Sequence, residues 1–193
     1  MLFQSFSPNK VECGCDEAGR GCLAGPVYAA AVILPRNYVN ETLNDSKQLS
    51  PQQRQHLRLQ IEQDSLAWAV SSVSAAEIDR MNILKASFHA MNLAIAQLHI
   101  QPELLLIDGN RFYNETELPY ECIVKGDAKY MSIAAASVLA KTYRDDYMAQ
   151  LHHEFPMYGW NSNKGYPTKA HYEAIRQYGV SPWHRMSYKL YKD

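Results

Sequence analysis

Four acidic residues stand where short apolar runs give way to glycine. Asp16 and Glu17 lie in Cys15-Asp16-Glu17-Ala18-Gly19-Arg20-Gly21, Asp108 in Asp108-Gly109-Asn110, and Asp127 in Lys125-Gly126-Asp127. The first pair follows a strand-like run at 11–15 and precedes a long apolar run at 27–34. A carboxylate buried without a partner is costly, so adjacent acids at the end of an apolar strand are solvated or hold a cation. Neighbouring residues of a regular strand point to opposite faces. Asp16 and Glu17 can therefore serve one site only if the strand ends or kinks between them. Gly19 and Gly21 allow a sharp backbone path and let main-chain N–H groups approach a phosphate or sugar, with Arg20 as a planar donor beside them. A charged turn after a strand is the plainer reading of Asp-Glu alone, and the two glycines around an arginine weigh against it.

The elements that must position these groups follow from pattern. Runs at 11–15, 27–34, 66–73, 103–107 and 121–124 read as strands; the second is apolar almost throughout, as in a strand covered on both faces. Ser50 with Pro51 opens a helix that runs to about residue 62. Ser74 caps a short helical turn. Leu84, Phe88, Met91, Ile95 and Leu98 recur at helical spacing in 83–98. A second long helix covers 131–155, and its small residues at 132–137 let it lie close to the sheet. Lys141, Arg144, Asp145 and Asp146 on that helix read as surface pairs. Residues 161–167 read as a loop, after which Thr168 caps a last helix closed by Gly179. Three strand ends each deliver an acid beside a glycine, and open α/β sheets carry their sites at strand ends.

The bulk numbers exclude several classes. With 193 residues, 47% hydrophobic and 20% charged, the chain suits one compact domain. No apolar run approaches the ~20 residues of a membrane helix. Residues 1–10 lack the charged and apolar regions of a secretory signal, so a cytoplasmic protein is expected. Cys13, Cys15, Cys22 and Cys122 show no zinc spacing and read as reduced thiols. The net charge of −1 hides a split: residues 1–124 carry −5 and residues 125–193 carry +4. An acidic site beside a basic half suits a metal-dependent enzyme acting on a polyanion, although solvated helix faces would give the same asymmetry.

Seven motifs appear in an order that resembles bacterial ribonuclease HII. They are Asp-Glu-Ala-Gly-Arg-Gly, Leu-Asn-Asp-Ser-Lys-Gln-Leu, Ile-Asp-Gly-Asn, Lys-Gly-Asp-Ala-Lys-Tyr, Ala-Ala-Ala-Ser-Val-Leu-Ala-Lys, Asn-Lys-Gly-Tyr-Pro-Thr and Ser-Pro-Trp-His-Arg. The resemblance spans about residues 13–188. It implies an α/β ribonuclease H-like fold, a mixed five-stranded sheet with helices on both faces. A small helical C-terminal extension, about 156–193, would pack on a single catalytic domain of residues 1–193. The implied activity is endonucleolytic cleavage of the RNA strand of RNA–DNA hybrids, including cleavage 5′ of a single ribonucleotide embedded in duplex DNA, leaving 3′-hydroxyl and 5′-phosphate ends.

Carried over by motif, the catalytic and metal-holding carboxylates are Asp16, Glu17, Asp108 and Asp127. If they converge to about 5 Å, each like-charge pair costs about 3 kcal/mol at an effective dielectric near 20. Hard divalent ions with oxygen ligands relieve this, so Mg²⁺ or Mn²⁺ is expected, two ions with substrate bound. The Gly19-Arg20-Gly21 loop and Tyr166 would sense the ribose 2′-hydroxyl and the neighbouring deoxyribose. Lys47, Lys164 and Arg185, with Asn44, Ser46 and Asn161 nearby, are candidate contacts to phosphate. His184 reads as a satisfied buried histidine. The expected partners are RNA–DNA hybrid and ribonucleotide-containing duplex DNA, with no membrane, and the protein is expected to be a monomer. A DNA nuclease or strand transferase on the same fold, and a non-catalytic hybrid-binding module, are the alternatives.

Overall fold

The computed structural model describes residues 2–44, 46 and 49–191. Five strands form one sheet in the order β3-β2-β1-β4-β5: β1 Glu12–Ala18, β2 Val27–Ile33, β3 Ala67–Val73, β4 Leu104–Asp108 and β5 Tyr120–Ile123. β1 to β3 form an antiparallel meander, and β4 and β5 add to the other side of β1 in parallel. The sheet is mixed, as the motif resemblance implies.

Alternation along β2 explains why the strand is apolar throughout. Val27, Ala29, Ala31 and Ile33 pack on one face with α3 (Ile83–Ala96), together with Cys13 and Cys15 of β1. Ala30 and Val32 pack on the other face with α4 (Met131–Glu154) and with Leu57 and Ile61 of α1 (Pro51–Asp64). The small residues early in α4 do bring helix and sheet together. A Cβ on Gly14 of β1 would stand 2.2 Å from the Ser132 carbonyl carbon. Only glycine fits there, and this close approach sets the height of α4 over β1.

The helix starts follow their caps. Ser50 and Ser74 each accept the N3 backbone N–H while the N3 side chain returns the bond, closing capping boxes for α1 and for α2 (Ala75–Met81). Thr168 caps α6 (Lys169–Tyr178). The expected loop at 161–167 differs: Trp160–Asn163 form a short helix, α5, between left-handed Gly159 and left-handed Lys164. Four residues are too few to show a helical period in sequence. Tyr158, Trp160, Tyr172 and Ile175 pack against Met148 and Leu151 of α4, which seats the C-terminal segment on the end of that helix.

Candidate active site

β1 does not end at Cys15 as its pattern suggests. It runs on through Asp16 and Glu17 to Ala18, paired with β2 at Asp16–Ala30, Glu17–Ala29 and Ala18–Tyr28. On its other side the ladder with β4 stops at Cys15–Ile107. From Asp16 onward one edge of β1 is therefore open. Successive side chains on opposite faces can both reach a cleft at such an edge, so no kink between the two acids is required. The cleft holds about 210 Å³ and is lined by Asp16, Glu17, the Gly19-Arg20-Gly21 loop, Ser46, Asp108, Ser137, Lys141 and Tyr166.

Asp16 is buried on the α4 side. It accepts the Glu17 backbone N–H at 2.7 Å and a bond from the Ser137 hydroxyl, which is itself 2.9 Å from the Ser46 hydroxyl. Burial, then the charges of Glu17 and Asp108, hold its carboxyl well above the usual carboxylate range despite these two bonds. Glu17 pairs with Arg20 at 3.0 Å. Asp108 Oδ1 accepts the Gly126 N–H at 2.7 Å.

Asp127 is the fourth expected acid. It is buried in the 3₁₀ turn Gly126–Ala128, next to the glycine that bonds Asp108, but it does not line the cleft. Among the described residues no three His, Cys, Asp or Glu side chains are gathered tightly enough to cage an ion by themselves. Three acids share the cleft, and two of them are drawn to local donors, Glu17 to Arg20 and Asp108 to Gly126. An all-oxygen donor set with mutual repulsion at its buried member nevertheless fits a hard divalent cation, which would relieve the strain at Asp16.

The substrate-contact candidates divide. Gly19, Arg20, Gly21, Ser46 and Tyr166 line the cleft. Lys164 lies just beyond, in a groove that shares Lys141 and Tyr166 with the cleft and includes Arg54. Its Nζ donates to the Asp145 carbonyl at 3.3 Å. Asn44 and Asn161 are exposed and outside the lining. Lys47 lies outside the described residues.

Arg185 corrects an expectation. It is 0% exposed, and its guanidinium donates to the Gly25 carbonyl at 3.0 Å and the Arg20 carbonyl at 2.9 Å. It braces the glycine loop from beneath and does not face a phosphate. Arg144, expected at the surface, is also buried and donates to the carbonyls of Pro26, Ala24 and Lys164 at 3.0, 3.1 and 2.8 Å. It ties the glycine loop to the loop that carries Tyr166. Lys141 does make the expected pair with Asp145, and Asp146 pairs with Arg58 of α1. The pattern missed Ser137 and Lys141 as lining residues. Their spacing of four on α4 was the available signal that they share one helix face.

A mixed sheet in this order, with acids at the open end of its central strand, defines the ribonuclease H-like class. The ribonuclease HII family model matches residues 13–191. Ribonuclease HII of Bacteroides thetaiotaomicron is 60% identical over 193 residues, 100% of this chain and 96% of that protein. Ribonuclease HII of Porphyromonas gingivalis is 63% identical over 189 residues, covering 98% and 94%. Among solved structures, ribonuclease H2 of Pyrococcus horikoshii OT3 superposes with a TM-score of 0.77 at 27% identity, covering 93% of this chain and 94% of that one. A chain of the PCNA:RNase HII complex from Archaeoglobus fulgidus gives a TM-score of 0.79 at 26% identity, covering 95% and 97%. The chain belongs to the ribonuclease HII family and is an endoribonuclease of the ribonuclease H type.

Proposed function

We propose that this chain cuts the RNA strand of RNA–DNA hybrids and the 5′ side of single ribonucleotides in duplex DNA, leaving 3′-hydroxyl and 5′-phosphate ends. The observation that carries the reading is the shared cleft of Asp16, Glu17, Asp108, the glycine loop and Tyr166 at the open edge of β1. Asp16, Glu17 and Asp108 would hold Mg²⁺ or Mn²⁺. We retain Asp127 as the fourth carboxylate because its turn is already tied to Asp108 through the Gly126 N–H. The ions would supply an acidified water and a positive charge beside the leaving 3′-oxygen.

The remaining work falls to the chain itself. Ser137 and Ser46 orient the Asp16 carboxylate. Main-chain groups of Gly19-Arg20-Gly21, stiffened by Arg185 and Arg144, meet the ribose 2′-hydroxyl. The Tyr166 ring stacks on the neighbouring deoxyribose and so favours a ribo–deoxyribo junction. Lys164 and Arg54 line the groove beyond the cleft, and together with Lys47, carried over by motif, they would contact phosphates, which positions the duplex without reading its sequence.

An end-labelled duplex with one embedded ribonucleotide tests the reading. With Mg²⁺, a single cut 5′ of the ribonucleotide is expected, and an all-DNA duplex of the same sequence stays intact. Equal cleavage of the all-DNA duplex would make the chain a DNA nuclease, and binding without any cut would make it a hybrid-binding module.

A further inference from the structure

Two buried histidines have no part in the chemistry above. His171 on α6 and His184 in the C-terminal segment are 0% and 2% exposed, and their Nε2 atoms lie 3.2 Å apart. Their neighbours fix where the protons sit. The Ser181 backbone N–H donates to His184 Nδ1 at 2.9 Å, so that nitrogen is a bare acceptor and the neutral ring carries its proton on Nε2. This proton points at His171 Nε2. The Trp160 indole N–H, which can only donate, points at the same atom from 3.1 Å. His171 Nε2 is therefore an acceptor, and its ring carries the proton on Nδ1. That proton meets the Tyr166 backbone carbonyl at 3.0 Å.

One arrangement of protons gives each ring nitrogen a partner of the right kind, with the Trp160 and His184 N–H groups sharing the lone pair of His171 Nε2, and it holds only while both rings are neutral. Burial, joined at His184 by the charge of His171, keeps both rings reluctant to take a second proton, His184 down to about 4. The chain ends on the main chain of a cleft residue. Tyr166 follows two residues in left-handed backbone, Lys164 at φ 51° and Gly165 at φ 83°, and the residue is 38% exposed in the cleft with the acids. A ring in that position needs its backbone held, because a small shift of a substrate-positioning group is expensive in rate.

We propose that His171 is a positioning residue for Tyr166, holding the Tyr166 carbonyl through Nδ1–H, with His184 and Trp160 fixing the tautomer that makes this possible. The proposal rests on the reading of Tyr166 as the group that recognises the ribo–deoxyribo junction.

Asparagine and glutamine separate the two ring nitrogens. The Asn amide nitrogen falls near the position of Nδ1, and the Gln amide falls near Nε2. Full-length wild type, His171→Asn, His171→Gln, Tyr166→Ala and the Tyr166→Ala/His171→Gln double variant are compared on a single-ribonucleotide duplex and on an all-RNA hybrid. The readout is the ratio of kcat/KM on the two substrates. His171→Gln should lower this ratio by about tenfold, toward that of Tyr166→Ala, and His171→Asn should recover it to within about threefold of wild type. In the Tyr166→Ala background, His171→Gln should change the ratio no further.

A folded His171→Gln enzyme with the wild-type ratio, beside a Tyr166→Ala enzyme that has lost it, overturns the role of His171 and leaves the reading of Tyr166 standing. An unchanged ratio in Tyr166→Ala removes both. Circular dichroism and Trp160-dependent fluorescence establish that each variant folds. If His171→Gln does not fold, imidazole ¹⁵N spectra of the wild type decide. A protonated Nδ1 on His171 with a bare Nδ1 on His184 supports the proposal, and a bare Nδ1 on His171 overturns it.

Discussion

Replacing Gly19 by alanine tests how the glycine loop is held. Gly19 sits at φ +100°, where a Cβ adds about 1–2 kcal/mol of backbone strain. The new Cβ would also stand 2.0 Å from Arg144 Nε and 2.6 Å from its Cδ. Arg144 must then swing away from the Pro26, Ala24 and Lys164 carbonyls. Losing even one charge-assisted bond of this kind costs about 1.5–3 kcal/mol. Together these give a destabilisation of about 3–5 kcal/mol, a large share of the 5–15 kcal/mol that holds a typical domain. Gly21 is the control. A Cβ there meets nothing within 4 Å, so Gly21→Ala should change stability by less than about 1 kcal/mol. It should instead weaken activity, because its methyl would project where substrate approaches the loop. Urea unfolding in chelator, with hybrid cleavage measured alongside, reads both quantities. A Gly19→Ala protein within about 1 kcal/mol of wild type, or an equal loss for Gly21→Ala, would refute the reasoning.

Three further outcomes are expected. Asp16→Asn should stabilise the metal-free protein at pH 8 by about 2–3 kcal/mol, the size of one like-charge pair 5–8 Å apart at an effective dielectric near 20. The folded Asp16 carboxyl gives up its proton later than the unfolded one. Wild-type stability from this group is therefore full below the unfolded Asp range and is lost as pH rises through the folded one. The gain from Asn should shrink to nothing as pH is lowered toward about 4, which thermal unfolding across pH would show. Cleavage with chemistry rate-limiting should rise about tenfold per pH unit through the neutral range, because the attacking water must lose a proton; a flat profile would count against this. Arg185→Met should lower stability by about 2–4 kcal/mol while leaving the salt dependence of hybrid binding unchanged, whereas a slope reduced by about one would return Arg185 to the phosphates.

Much of this was legible in the sequence because the signals were local. Alternation, apolar runs and Ser or Thr caps depend on a few neighbouring residues, and the five strands and the long helices emerged near their observed places. The three cleft acids were visible because acids beside glycines at strand ends are chemically odd wherever they occur. The failures were long-range. Asp16 and Glu17 proved to be inside β1, since the strand's extent is set by their partners Ala30 and Ala29 of β2, further along the chain, and the open edge by where β4 stops. Arg144 and Arg185 look like surface or phosphate-binding arginines until two loops, one at 19–26 and one carrying Lys164, present carbonyls to them. Nothing near either residue in the chain announces those partners. Asn161 carries the same limitation on a smaller scale, because the turns that make α5 are set by packing of Trp160 beneath it.

The most direct test is turnover of a single-ribonucleotide duplex by Asp108→Asn at saturating Mg²⁺. The amide oxygen can still accept the Gly126 N–H, so the fold of the strand end is kept while one negative charge leaves the cleft. The account predicts a folded protein that binds the duplex and cuts it at least about a hundredfold more slowly than wild type. A folded Asp108→Asn enzyme turning over at the wild-type rate would contradict it.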